Sequence, residues 1–300
     1  ALVFAADKLA EDPRVREALG IPKTYTVTPL TLTRSDGTTL YSTRDIAYSL
    51  WKLQRADLVI NVIAVQQSLA QTHVRLALLA LGEKRASKLV HYAYEIVKLP
   101  GYKMSGRKGR YVTADEVLDE AVELVSEKIE REARGLSPEE AERIARAVGV
   151  GAVKYAILSV SPLRVVTFVW DRVLDLSQNS GPFVQYAYVR AVSILRKARE
   201  EGVAPSPPSS ARLGEEEKPL VMLLGEFPQV VVSAAEDLRP DYVAGYLNSL
   251  ALEFNRFYDS VPVLKAPGEL AESRLALVEA VATVLKKGLY LLGIEAPERM

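Results

Sequence analysis

Seven consecutive residues, Lys103-Met104-Ser105-Gly106-Arg107-Lys108-Gly109, carry three cations and two glycines, a composition suited to handling phosphate. Glycine has no Cβ, so the backbone at Gly106 and Gly109 can approach an anion or move over it. The cationic side chains can neutralise charge on phosphoryl oxygens. Basic runs of this length also occur as solvated surface loops, and the run alone leaves both readings open.

The surrounding elements read as an alternating α/β pattern. Short helical pieces with Leu9, Val15 and Leu19 break at Pro13 and end at Gly20. An extended segment through Tyr25, Val27, Leu30 and Leu32 leads to a tight turn at Ser35-Asp36-Gly37. Thr43 is a candidate N-cap for a helix with Ile46, Leu50 and Leu53 on one face, which puts Tyr41 and Asp45 at a strand-to-helix corner. Ligands in open α/β sheets bind beside such corners. Leu58 to Val65 is a continuous apolar run interrupted by Asn61 alone, as expected of a parallel strand buried on both faces. Gln66-Gln67 ends it, where ordinary helix-start hydrogen bonding is one reading, and a helix follows to Gly82. Lys88 to Leu99 is then an extended piece feeding the basic run.

Three stretches together resemble the second half of the arginyl-tRNA synthetase catalytic domain. They are Asp36 to Ala47, Val62 to Gln67 and Lys103 to Gly109, the last in the arginyl form of the KMSK signature of class I synthetases. The resemblance implies that Tyr41, Asp45 and Gln67 line an arginine pocket. A guanidinium has five donors in a planar fork, so a carboxylate can accept from it bidentately. It also implies that Lys103, Ser105, Arg107 and Lys108 are catalytic, with Lys103, Met104 and Ser105 contacting ATP and Mg2+ accompanying the nucleotide. Two departures stand out. Ala70 occupies a place where the family often has histidine, leaving His73 as a packing or surface residue, and Gly106 replaces the second lysine of the signature.

From Asp115 to Val148 the chain reads as charged amphipathic helix, with Ser137-Pro138 as an N-cap and first turn and with Gly149 and Gly151 separating it from Ala152 to Leu158. Gly181-Pro182-Phe183-Val184-Gln185-Tyr186-Ala187 opens a new helix and resembles the start of the arginyl anticodon-binding domain. Three further helices, a proline- and serine-rich loop from Gly202 to Lys218, and the ending Pro297-Glu298-Arg299-Met300 complete the likeness. By that likeness Phe183, Tyr186, Tyr258 and Met300 bind the anticodon, the aromatics by stacking on unpaired bases.

Equal numbers of basic and acidic side chains, 38 each, mean that an RNA partner would be held by local patches rather than by a global field. The absence of cysteine excludes disulfides, thiolate metal sites and cysteine nucleophiles, and no metal site is expected. Few asparagines and glutamines are compatible with a thermophilic source. No apolar run of spanning length and no secretion signal is evident, so the expected compartment is the cytoplasm, without a membrane partner.

The resemblance implies an α/β remnant of a Rossmann-type catalytic domain over residues 1–120, connecting helices over 121–180 and an all-α anticodon-binding bundle of DALR type over 181–300. The implied activity is arginine–tRNA ligation, with ATP, L-arginine and the arginine tRNA as partners. No His-x-Gly-His arrangement precedes Asp36, and the chain opens on Ala1. The expectation is therefore a C-terminal portion, inactive alone, whose further partner is the missing N-terminal half of the synthetase. A non-catalytic RNA-binding protein descended from a synthetase is the alternative.

Overall fold

The computed structural model describes residues 1–100, 112–132, 135–207 and 213–300. Contacts divide the chain into two compact units, one of residues 1–96 with 162–164, the other of residues 97–161 with 165–300.

In the first unit, strand β1 (Val3–Phe4) pairs antiparallel with β2 (Leu30–Thr31) around helices α1 (Ala6–Leu9) and α2 (Pro13–Leu19). Pro13 starts α2, with Asp12 accepting from the Arg14 amide, and Gly20 closes it in the left-handed conformation. Only Leu30–Thr31 of the expected extended segment forms a strand. Helix α3 (Tyr41–Leu53) follows the Asp36–Gly37 turn, in which Asp36 accepts from the Thr38 amide. Thr43 does not cap it: the helix begins two residues earlier, and the Thr43 hydroxyl donates instead to Leu32 O at 2.6 Å.

Strand β3 (Val59–Ala64) pairs in parallel with β4 (Leu89–Tyr94), the connection passing through a 3-10 turn at Val65–Gln67 and helix α4 (Ser68–Ala80). Val59 and Leu89 share a buried cluster with Ile46 and Leu53 of α3 and Val74, Leu76 and Leu78 of α4. The expectation of burial on both faces fails. Ile60 and Val62 point away from that cluster and are exposed, because successive side chains of a strand alternate in direction and the helices cover one face.

The second unit begins with β5 (Val97–Lys98), which pairs in parallel with β6 (Val166–Thr167). Its helices are α5 (Ala114–Glu132), α6 (Pro138–Leu158), the short α7 (Trp170–Val173), α8 (Gly181–Glu200), α9 (Lys218–Glu236), α10 (Pro240–Ser260) and α11 (Gly268–Leu291). Ser137 caps α6 in a reciprocal box with Glu140, and Ser180 caps α8 through the Phe183 amide. Leu247, Leu250 and Phe254 of α10 and Leu275, Val278 and Leu285 of α11 bury themselves with Val184 and Tyr188 of α8 to form the main core.

Gly149 and Gly151 do not interrupt the chain as expected, because α6 runs through them. Their role is close approach. A Cβ at Gly149 would stand 2.8 Å from the Val122 backbone nitrogen of α5, and one at Gly181 would stand 2.8 Å from Gly151 O. Helix α9 also departs from expectation, since it is long and apolar enough by length and composition to cross a membrane. In this fold it packs beside α10, with Phe227 stacked on Tyr246 at 5.5 Å and the Tyr246 hydroxyl donating to Leu223 O at 2.8 Å. Burial pushes that phenol up to about 12.

Gly149→Ala should lower unfolding free energy by about 1–3 kcal/mol in a denaturant titration, since backbone atoms rather than a pliable side chain must move. Gly245→Ala, with open space around an exposed α10 position, should instead stabilise by about 0.5–1 kcal/mol.

Candidate functional site

Two groups of side chains stand out, one in each unit. In the first, Tyr41 and Asp45 lie one turn apart at the start of α3, and Gln67 and Gln71 lie one turn apart at the start of α4. Gln71 Nε2 donates to Asp45 Oδ2 at 3.0 Å, joining the two helix starts. Tyr41, 84% exposed, and Gln67, also exposed, lie each a turn N-terminal to that bond. Gln67 follows directly from the carboxyl end of a parallel strand, where α/β sheets bind ligands. Behind Asp45, Asn61 of β3 links Gln71 to Lys52.

Sequence reasoning chose Tyr41, Asp45 and Gln67 but missed Gln71, Asn61 and Lys52. Signals existed for each: Gln71 follows Gln67 by four residues, Lys52 follows Asp45 by seven, and Asn61 is the lone amide in an apolar strand. His73, expected at the surface or in packing, is buried and places Nε2 2.7 Å from Thr28 O, while His91 Nε2 lies 2.9 Å from Ile63 O. A carbonyl only accepts, so each Nε2 carries the proton in these bonds. Among the described residues no group of three or more His, Asp or Glu is placed to hold a metal ion. Lys103, Met104, Ser105, Arg107 and Lys108 lie outside the described residues.

In the second unit, Arg190 of α8 is the centre of an aromatic surface. Its guanidinium carbon lies 5.1 Å from the Tyr186 ring centroid and 4.6 Å from that of Tyr258 on α10. Asn255 accepts from Arg190 at 2.9 Å, and Asp259 stands 3.9 Å away. Tyr186 and Tyr258 are 38% and 43% exposed, so both rings keep a free surface. Tyr186 also lines a cavity of about 270 Å³ with Val125, Ile144, Leu176 and Met300. Met300 is half-buried there rather than frayed, because the terminal segment is tied down upstream. The Gln185 amide donates to Ala147 O at 3.1 Å and to Glu295 O at 2.7 Å, Lys154 donates to Gly293 O, and Arg299 pairs with Glu140.

Phe183 differs from the other three expected anticodon residues. Its ring is 3% exposed and packs in the main core, where it supports α8 and offers no face for stacking. Arg190 was missed, although its spacing of four from Tyr186 places both on one helix face.

Comparison with known proteins also divides the chain in two, but at a later point than its contacts do. The family model for the catalytic domain of class I tRNA synthetases, type R, matches residues 7–171, and that for the DALR anticodon binding domain matches residues 184–300. The chain belongs to the arginyl-tRNA synthetase family. An arginine–tRNA ligase from Pyrobaculum aerophilum is 51% identical across the whole chain, which covers 46% of that relative. Another, from Ignicoccus hospitalis, is 50% identical across the whole chain, which covers 48% of it. The chain thus spans about half the length of the curated relatives it matches. Among solved structures, the arginyl-tRNA synthetase of Thermus thermophilus superposes with a TM-score of 0.83 at 31% identity, covering 99% of this chain and 58% of that one. Within the arginyl-tRNA synthetase framework, the α/β unit is catalytic-domain structure and the helical bundle that ends the chain is the anticodon-binding domain.

The stability of the two groups should differ from their prominence. Arg190→Ala should cost under about 1 kcal/mol, because its ion pair is long and its partner Asp259 largely exposed. Gln185→Leu should cost about 1–2 kcal/mol, because it removes two donated bonds in a buried crossing, the loss being partly offset by removal of the unpartnered Oε1. Urea titrations of the two variants compare them directly.

Proposed function

We propose that this chain supplies the arginine-recognising and tRNA-holding portion of an arginine–tRNA ligase. The reaction joins the arginine carboxylate to the α-phosphate of ATP with release of pyrophosphate. The arginyl group then passes from the adenylate to a ribose hydroxyl of the terminal adenosine of the tRNA, with release of AMP. Asp45 accepts from the substrate guanidinium, and Tyr41 and Gln67 close the pocket with a hydroxyl and an amide. Lys103, Ser105, Arg107 and Lys108 neutralise and position the phosphates, with Lys103, Met104 and Ser105 against ATP. Mg2+ arrives on the nucleotide, in keeping with its preference for phosphate oxygens and water. Functionally, residues 1–120 serve catalysis, 121–180 connect and 181–300 bind the anticodon.

On the RNA side, Tyr186, Tyr258 and Arg190 offer stacking surfaces to unpaired bases, with Met300 and the adjoining cavity forming the edge of the same site. Base–aromatic stacking contributes about 1–3 kcal/mol per base. The observation that carries the reading is Asp45, a half-buried carboxylate held on Oδ2 by Gln71 at the meeting of two helix starts, with no ion-pair partner among the described residues. We place this work in the cytoplasm, with the tRNA and ATP it consumes.

The test measures arginine-dependent ATP–pyrophosphate exchange with two proteins. One is the chain alone; the other is the chain grafted onto the preceding portion of the Pyrobaculum aerophilum relative. Exchange is expected only in the chimera, and Asp45→Asn should reduce it at least about a hundredfold at fixed arginine, as for a lost charge-assisted contact. Exchange absent from both, with tRNA binding retained, would sink the ligase reading in favour of a non-catalytic RNA-binding protein. Separately, Arg190→Ala and Tyr258→Ala should each weaken binding of the arginine tRNA about tenfold in filter binding while the fold persists.

A further inference from the structure

Among the described residues Asp45 has no ion-pair partner, and Lys52 is linked to it through two amides. Lys52 Nζ donates to Asn61 Oδ1 at 2.6 Å, Asn61 Nδ2 donates to Gln71 Oε1 at 2.8 Å, and Gln71 Nε2 donates to Asp45 Oδ2 at 3.0 Å. The two ends set the direction of the whole relay. An ammonium only donates and a carboxylate only accepts, so each amide between them must turn its oxygen towards Lys52 and its nitrogen towards Asp45. Asn61 and Gln71 are both buried, Gln71 to 4% exposure, where an unpaired amide is costly. Aligned in one sense, the bonds polarise one another, and the lysine charge is felt at Asp45 through two amide dipoles.

We propose that this relay sets the arginine affinity of the pocket, with Gln71 as its principal positioning residue. The inference rests on the reading of Asp45 as the guanidinium acceptor. Gln71 holds Oδ2 from behind and fixes the carboxylate, while among the described residues Oδ1 accepts from the Ser49 hydroxyl at 3.5 Å, the outer limit of a hydrogen bond. A direct lysine–aspartate ion pair would also balance the charge, but it would compete with a guanidinium for the same oxygens. Passing the charge through two neutral amides supports the carboxylate without placing a competitor in the pocket. Gln71 acts through Asp45 and needs no contact with substrate.

The test uses the active chimera described above, comparing wild type, Gln71→Met, Lys52→Met and the double variant by steady-state exchange, with thermal melts alongside. Gln71→Met keeps length and removes the hydrogen bonds. It should raise the KM for L-arginine about tenfold while the KM for ATP and kcat stay within about twofold, the pattern of lost ground-state binding. Lys52→Met should shift the same parameter less, and the double variant should fall short of the summed effects because both changes cut one relay. A purely structural role would lower kcat and the melting temperature together without selecting arginine, and that result, or an unchanged arginine KM, would overturn the proposal. Should Gln71→Met fail to fold, Lys52→Met at the less buried end carries the same comparison. A wild-type chimera that binds tRNA but shows no exchange defeats the ligase reading itself, whereas exchange by wild type with unselective variants defeats only the relay.

Discussion

The Gln185 amide is the interaction on which the helical unit's surface depends. It is fully buried on α8 and uses both N–H donors, one on α6 and one on the segment leading to the C-terminus. Space for it exists because residue 151 is glycine: a Cβ there would stand 2.8 Å from the Gln185 nitrogen. Gly181 lets α8 come close to α6 at the same crossing. The consequence reaches the surface, since Glu295 is fixed by this bond and Met300, five residues on, is held beside Tyr186.

The same device recurs in the α/β unit. There, too, buried amides hold a half-buried functional group, with Gln71 and Asn61 standing behind Asp45 as Gln185 stands behind the C-terminal segment. Burying an amide is costly unless its hydrogen bonds are made, which holds for both N–H donors of Gln185 but not for its Oε1, buried there without a partner among the described residues. Holding a group in this way suits recognition. A carboxylate or an aromatic ring held in one position loses less entropy on binding than one that must first be ordered.

Charge is handled locally in both units. The chain as a whole is neutral, yet Arg190 is framed by two tyrosines and Asp45 has no ion-pair partner among the described residues. Arg190 has two rings and one long ion pair to Asp259 beside it, and Asp45 is held by a neutral amide. Electrostatics of this kind act at contact distance and are weakly screened, in contrast to a broad basic field. A neutral total charge is therefore compatible with RNA and amino-acid binding.

The sequence by itself determined much of the local structure. The serine cap at Ser137, prolines at helix starts and leucine stripes at helical spacing marked α6, α8, α10 and α11, because capping and periodicity are short-range properties. The motifs also pointed to the family, through Tyr41, Asp45, Gln67 and the basic run. What only the tertiary structure decided was anything that depends on a neighbour distant in the chain. Thr43 left its expected cap for a carbonyl eleven residues back, Gly149 proved to be a contact surface rather than a break, and Phe183 turned into the core while Tyr186 stayed out. Gln71 and Asn61 were marked in sequence by spacing and by a lone amide in an apolar strand, but a buried amide acquires meaning only when folding brings it against the groups that complete its hydrogen bonds.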